Sequence, residues 1–125
     1  MVFSKSIVVV VDDDAAVRNS LKFSLEIDGF AVCTYASAEE LLNADGIVQC
    51  QCLVVDQDVP SKTGLELVAA LRKQGMHVPV ILMSGHVTPA LTRRAADAGV
   101  PVIEKPILGN ALIELIHIVA GEQPV

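Results

Sequence analysis

The run Ile7-Val8-Val9-Val10-Val11-Asp12-Asp13-Asp14 decides how the rest of the chain is read. Five β-branched apolar residues in succession, without polar alternation, mark a strand buried on both faces, the form that strands take in a parallel sheet. Three carboxylates follow at once. The same device recurs downstream: Cys52-Leu53-Val54-Val55 runs into Asp56, Pro79-Val80-Ile81-Leu82-Met83 into Ser84-Gly85, and the minimal Val102-Ile103 into Glu104-Lys105. Ala31 to Tyr35 reads as a further short strand.

Between these runs the period changes. Val17, Leu21 and Leu25 recur at a spacing of four, one helix stripe that stops at Gly29. Ala38 to Asn43 reads as a short helix with Ser37 as N-cap and Glu40 at the capping-box position. Leu65, Val68 and Leu71 make the next stripe, closed by Gly75. Pro89 to Ala98 is a helix closed by Gly99, and Ile107 to Ala120 is the last. Five strands alternating with five helices call for right-handed crossovers, so the fold class is α/β, a parallel sheet covered on both faces. The chain shows no internal repeat, low-complexity tract or linker.

The bulk numbers agree with one packed domain. The chain has 125 residues, 52% hydrophobic and 19% charged, enough to bury a core. A net charge of −6 argues against direct binding of nucleic acid, which needs a basic surface. The run Ile7 to Val11 is far too short to cross a bilayer, and Met1 to Ser6 has no apolar segment of a secretory signal. Cys33, Cys50 and Cys52 fit no zinc or redox spacing and read as small buried hydrophobes in a reducing cytoplasm.

The polar residues that follow the runs share one place. In an open parallel sheet the C-terminal strand ends lie on one edge, where such folds bind ligands. Asp12, Asp13 and Asp56, the Ser84 hydroxyl and the Lys105 ammonium therefore converge on a solvent-facing edge. Asp14, next in line, reads as a helix N-cap. Carboxylates so close need a compensating cation. His77, His86 and His117 are too dispersed for a transition metal, and a hard, oxygen-seeking ion such as Mg²⁺ fits the donors. A carboxylate beside Mg²⁺ can attack an activated phosphoryl group and form an aspartyl phosphate.

Four segments, Val11-Asp12-Asp13, Val55-Asp56-Gln57-Asp58-Val59-Pro60, Met83-Ser84-Gly85-His86 and Glu104-Lys105-Pro106, together resemble the response-regulator receiver family over the whole chain. The likeness is greatest to receivers that precede LuxR-like DNA-binding domains. It implies a flavodoxin-like (βα)5 fold of strand order 2-1-3-4-5. It also implies a two-component phosphorelay, with a histidine kinase or phosphotransfer protein as donor and an effector protein reading the output. By position, Asp56 resembles the phosphoacceptor, Asp13 the direct Mg²⁺ ligand and Asp12 its partner through water, with the Asp58 backbone carbonyl completing the set. Ser84 resembles the switch hydroxyl and Lys105 the cation that pairs with the phosphoryl group, and the Lys105–Pro106 bond is expected to be cis. The expectation is a single receiver over residues 1–125 with no effector domain, a cytoplasmic signalling protein that assists only its own phosphorylation and dephosphorylation.

Three features depart from the family. Val102 stands where an aromatic ring usually changes rotamer on activation. The stretch from Gly99 to Lys105 is one residue short, with Pro101 near the start of the strand. Asp58 and His86 occupy the positions that tune the lifetime of the phosphoryl group. Two other readings follow: a receiver-like interaction module that works without phosphorylation, and a phosphatase, because Asp56-x-Asp58 also resembles the first motif of haloacid-dehalogenase-type enzymes. In those phosphatases the acidic pair comes last, whereas here Asp12 and Asp13 precede Asp56. On the final helix Leu108, Leu112, Leu115, Ile116 and Val119 are expected to face the sheet. Ile107, Ala111 and Ile118 form an adjacent stripe, either core or a surface for dimerisation or effector docking.

Overall fold

The computed structural model describes residues 7–44 and 50–121, so the expectation for Met1 to Ser6 lies outside the described residues. The elements alternate as β1 (Ile7–Val11), α1 (Ala15–Ile27), β2 (Ala31–Tyr35), α2 (Ala38–Leu42), β3 (Cys52–Asp56), α3 (Gly64–Lys73), β4 (Val80–Ser84), α4 (Pro89–Asp97), β5 (Val102–Glu104) and α5 (Ala111–Val119). All strand pairs are parallel, and the order across the sheet is β2-β1-β3-β4-β5. Parallel neighbours in register put like-numbered ends side by side, so Val11, Val55 and Tyr35 close one level of the sheet together.

The uniform apolar runs are explained by two cores. Val9, Val11, Leu53, Val55, Val80 and Leu82 pack with side chains of α2, α3 and α4. Val8, Val10, Cys52, Val54, Ile81 and Met83 point the other way, onto α1 and α5 through Leu21, Leu25, Leu112 and Ile116. Successive strand residues alternate between faces, and here both faces are covered, so the sequence has no polar position to spare. Each such Val or Leu contributes on the order of 1.5–3 kcal/mol by burial. Cys50 and Cys52 belong to these cores, and burial pushes their thiols up to about 11 and about 12. They stay protonated at neutral pH, as expected of buried hydrophobes, whereas Cys33 on β2 is exposed, which corrects that expectation for the third cysteine.

Helix starts follow local chemistry. Asp14 caps α1, its carboxylate accepting from the backbone N–H groups of Ala16 and Val17. Ser37 caps α2, but the Glu40 carboxylate accepts from Ala36 N–H, one residue before the N-cap of the expected box. A reciprocal capping box does occur at Thr63 and Glu66, at the start of α3. Gly29, at φ +99°, takes the left-handed turn that ends α1 and lets Phe30 N–H bond the Leu25 carbonyl.

One boundary is corrected. The last helix starts at Ala111, not Ile107. Gly109 turns at φ +58°, and the N-cap Asn110 makes no side-chain cap bond, so residues 107–110 form a loop. Leu108, expected on the packed face, is 72% exposed, while Ile107 packs against the α1–α5 core. Among the described residues no helix is long and apolar enough to cross a membrane.

Candidate functional site

Three strand ends meet at one point. Lys105, just past β5, is carried beside β4 by its backbone N–H, which donates to the Ser84 carbonyl at 2.8 Å. The peptide bond from Lys105 to Pro106 is cis, as the family resemblance implies. The Lys105 ammonium reaches across to Asp12 Oδ2 at 2.6 Å and Asp56 Oδ2 at 3.0 Å, 93 and 49 positions away in sequence. Asp12 is fully buried and Asp56 nearly so, which corrects the expectation of a solvent-facing edge. Only Asp13 of the three carboxylates is exposed.

Each remaining carboxylate oxygen has a donor. Asp12 Oδ1 accepts from Asp14 N–H at 2.9 Å, and Asp56 Oδ1 from Asp58 N–H at 3.3 Å. Burial pushes the Asp56 carboxyl above its ordinary value; Lys105 and the Asp58 N–H pull it down, and the charge of Asp12 adds to the rise. Lys105 is pulled down by burial, but its hydrogen bonds to Asp12 and Asp56 outweigh this and hold it above its ordinary value. Both shifts describe one crowded anionic site kept together by one cation.

Oxygens of Asp12, Asp13 and Asp56 lie within 4.8 Å of one another. Three carboxylates and one ammonium leave two negative charges uncompensated, the charge of one divalent cation. The donors are oxygen only, as Mg²⁺ requires. The residues present therefore fit the expected ion. Ser84, at the end of β4 and 2% exposed, accepts from His86 N–H at 3.1 Å, which leaves its O–H proton free to donate. His86 and Asp58 are exposed at the rim, and Val102 is half-buried against the α2–α3–α4 core.

The sequence profile of the response regulator receiver domain matches residues 8–117. The chain belongs to that family. The transcriptional regulatory protein FixJ of Azorhizobium caulinodans is 39% identical over 90% of this receiver and 54% of its own length. FixJ of Rhizobium meliloti is 38% identical over 93% of the receiver and 60% of its own length. The receiver thus spans a little over half the length of the curated relatives it matches. The crystal structure of FixJ-N superposes with a TM-score of 0.83 at 33% identity, covering 98% of this chain and 99% of that one. A structure of the response regulator StyR gives 0.85 at 32% identity, over 94% of this chain and 60% of that one. The relatives and the strand order identify a receiver domain of two-component signalling, with the CheY-like, flavodoxin-like fold.

Sequence reasoning missed three residues that build the receiver's site. The Arg18 guanidinium donates to the Asp12 backbone carbonyl at 2.7 Å and fixes the turn after β1. Gln57, 9% exposed, accepts from Leu65 N–H through its side chain and from Gly64 N–H through its backbone, pinning the start of α3 to the end of β3. Gly64 sits so close that a Cβ there would stand 2.9 Å from the backbone oxygen of Asp56. A buried-strand run ending in Asp-Gln, followed by Thr-Gly at a helix start, was the signal available for the last two. No spacing rule ties Arg18 to Asp12.

Proposed function

We propose that Asp56 takes the phosphoryl group, with Asp12, Asp13 and Lys105 as its electrostatic partners. The observation that carries this reading is the Lys105 ammonium held between the carboxylates of Asp12 and Asp56. A buried carboxylate already paired with a cation, at a sheet edge, is placed to act as a nucleophile. Asp13 and Asp56, the Asp58 backbone carbonyl and, through water, Asp12 would hold Mg²⁺. That ion, when bound, supplies charge neutralisation to the phosphoryl oxygens.

The Asp56 carboxylate oxygen forms a bond to the phosphorus of a phosphohistidine, on a histidine kinase or phosphotransfer protein. The phosphorus–nitrogen bond breaks and its electron pair leaves with the imidazole, which departs neutral when its other nitrogen carries the proton. Lys105 then pairs with one phosphoryl oxygen, and the Ser84 O–H donates to another. Asp58 and His86 border the group and govern how water reaches it. The chain promotes its own phosphorylation and loss of phosphate and turns over no other substrate.

The switch runs through the Gly85 to Thr88 loop and α4, since Val102 offers no ring to swing. The output face lies on α5, where Ile118 is 73% exposed and Ala111 shares its stripe. A cytoplasmic effector protein or a second copy of the receiver docks there, without direct contact to nucleic acid. Incubation with acetyl phosphate and Mg²⁺, followed by intact mass, tests the function: the expected product carries one phosphoryl group. No adduct favours an interaction module that works without phosphorylation, and steady release of phosphate from many phosphoesters favours a phosphatase.

A further inference from the structure

Charge is divided unevenly along the chain. Lys62, Arg72, Lys73, Arg93 and Arg94 fall between residues 59 and 100, opposed there only by Glu66 and Asp97, so this segment is positive in a protein of net charge −6. It contains α3 and α4, which lie on the same face of the sheet. Between them runs a groove of about 400 Å³, with Leu65, Val68 and Ala69 of α3 and Ala98 beyond α4 as apolar walls. Arg72 and Arg94 line it from the two sides, with Asp97 of α4 as the one carboxylate in the lining.

The cations are available. Arg72 is fixed by donating through Nη1 to the carbonyls of Met76 and Val78, which satisfies one nitrogen and neutralises no charge. Arg93 and Arg94 are exposed, and among the described residues neither has a carboxylate within ion-pair distance. Glu66 is held below its ordinary value chiefly by hydrogen bonds from Thr63, with the charges of Lys62 and Arg94 adding to the effect.

We propose that the α3–α4 groove docks an acidic peptide segment of a partner protein, with carboxylates on Arg72 and Arg94 and an apolar side chain against the exposed Ala69 and Ala98. A small apolar surface between two cations, one of them fixed, suits a short acidic and apolar segment, the charge complementarity that guides encounter between proteins. With Asp97 also in the lining the groove carries one net positive charge, enough to orient a short acidic segment and too little to grip a long phosphate backbone on a protein of net charge −6. Arg72 and Arg94 lie in the last turns of their helices, at the sheet edge opposite Asp56. The groove therefore lies away from the Asp56 site, and binding by the unphosphorylated chain tests the proposal separately from the role of Asp56.

The probe is a fluorescein-labelled synthetic peptide of glutamates interrupted by leucines, titrated with the full chain at low salt and read by anisotropy. Parallel titrations use its glutamine counterpart and a labelled single-stranded oligodeoxynucleotide. Saturable binding of the glutamate peptide alone is expected, weakened roughly tenfold in Arg94→Glu and by added salt. Lys22→Glu, the same charge change on exposed α1, should leave it unchanged. Arg94→Gln, with melting temperature as a control for folding, repeats the loss more mildly. Absence of peptide binding, equal loss in Lys22→Glu, or tighter binding of the oligonucleotide would overturn the proposal.

Discussion

Gly64→Ala probes how tightly the end of β3 that carries Asp56 is held. A Cβ at this position would stand 2.6 Å from Leu82 Cδ1, 2.9 Å from the Asp56 backbone oxygen and 3.1 Å from Gln57 Cα. Carbon contacts are comfortable at about 3.5–4.0 Å, so the overlap approaches 1 Å against Leu82. Leu82 is fully buried and has little room to turn away, and the other two neighbours are backbone. Overpacking of this kind costs about 1–3 kcal/mol. Alanine's better helix propensity returns up to about 1 kcal/mol in a helix interior, and less in a first turn. The net loss is roughly 1–2 kcal/mol, or a fall of about 3–10 °C in melting temperature for a domain of this size. Relief of the clash moves the carbonyl of Asp56 itself, so the rate of phosphorylation should fall several-fold as well. Gly85→Ala is the control, since a Cβ there meets nothing within 4 Å and should leave stability unchanged. Thermal unfolding followed by circular dichroism reads the first effect, and intact mass against time reads the second. A Gly64→Ala protein as stable and as quickly phosphorylated as wild type would refute the packing argument.

Three further outcomes are expected. Asp56 has its folded pKa raised above the ordinary 3.8, so the fold binds its proton more tightly and ionised Asp56 subtracts stability at neutral pH. Asp56→Asn should therefore melt a few degrees higher at pH 7 without metal, with the gap closing as pH falls into the carboxylate range; a variant that melts lower at pH 7 would contradict the sign. Mg²⁺ should raise the melting temperature of wild type, because only the folded chain gathers Asp12, Asp13 and Asp56; an undiminished shift in Asp13→Ala would remove Asp13 from the ligand set. Ile118→Glu should weaken phosphorylation-dependent self-association or effector binding, read by analytical ultracentrifugation, while acetyl phosphate still labels the chain; unchanged association would make Ile118 an ordinary surface residue.

What the sequence revealed, and what it hid, follows from range. Strands buried on both faces must be apolar throughout, so Ile7–Val11, Cys52–Val55 and Val80–Met83 announce themselves locally. The polar residue that ends each run then falls on one edge by topology, which is why the sequence alone groups Asp12, Asp56, Ser84 and Lys105. Depth was not legible. Lys105 before a proline looks like surface, and only the fold reveals that its ammonium crosses to a fully buried Asp12. The start of α5 was misread because Ile107 and Leu108 are apolar and adjacent, a pattern equally suited to a helix or to a loop with one side chain tucked in. Gly109 at positive φ settles it in favour of the loop. Gln57 and Arg18 act on backbone groups eight and six positions away, contacts that no hydrophobic period encodes.

The central claim concerns one carboxylate. After treatment with acetyl phosphate and Mg²⁺, borohydride reduction converts an aspartyl phosphate to homoserine, and peptide mass mapping finds where the change occurred. The predicted result is homoserine at position 56 alone, and no conversion in Asp56→Asn. Conversion at Asp12, Asp13 or Asp58 in the wild-type chain, with Asp56 unmodified, would contradict the account.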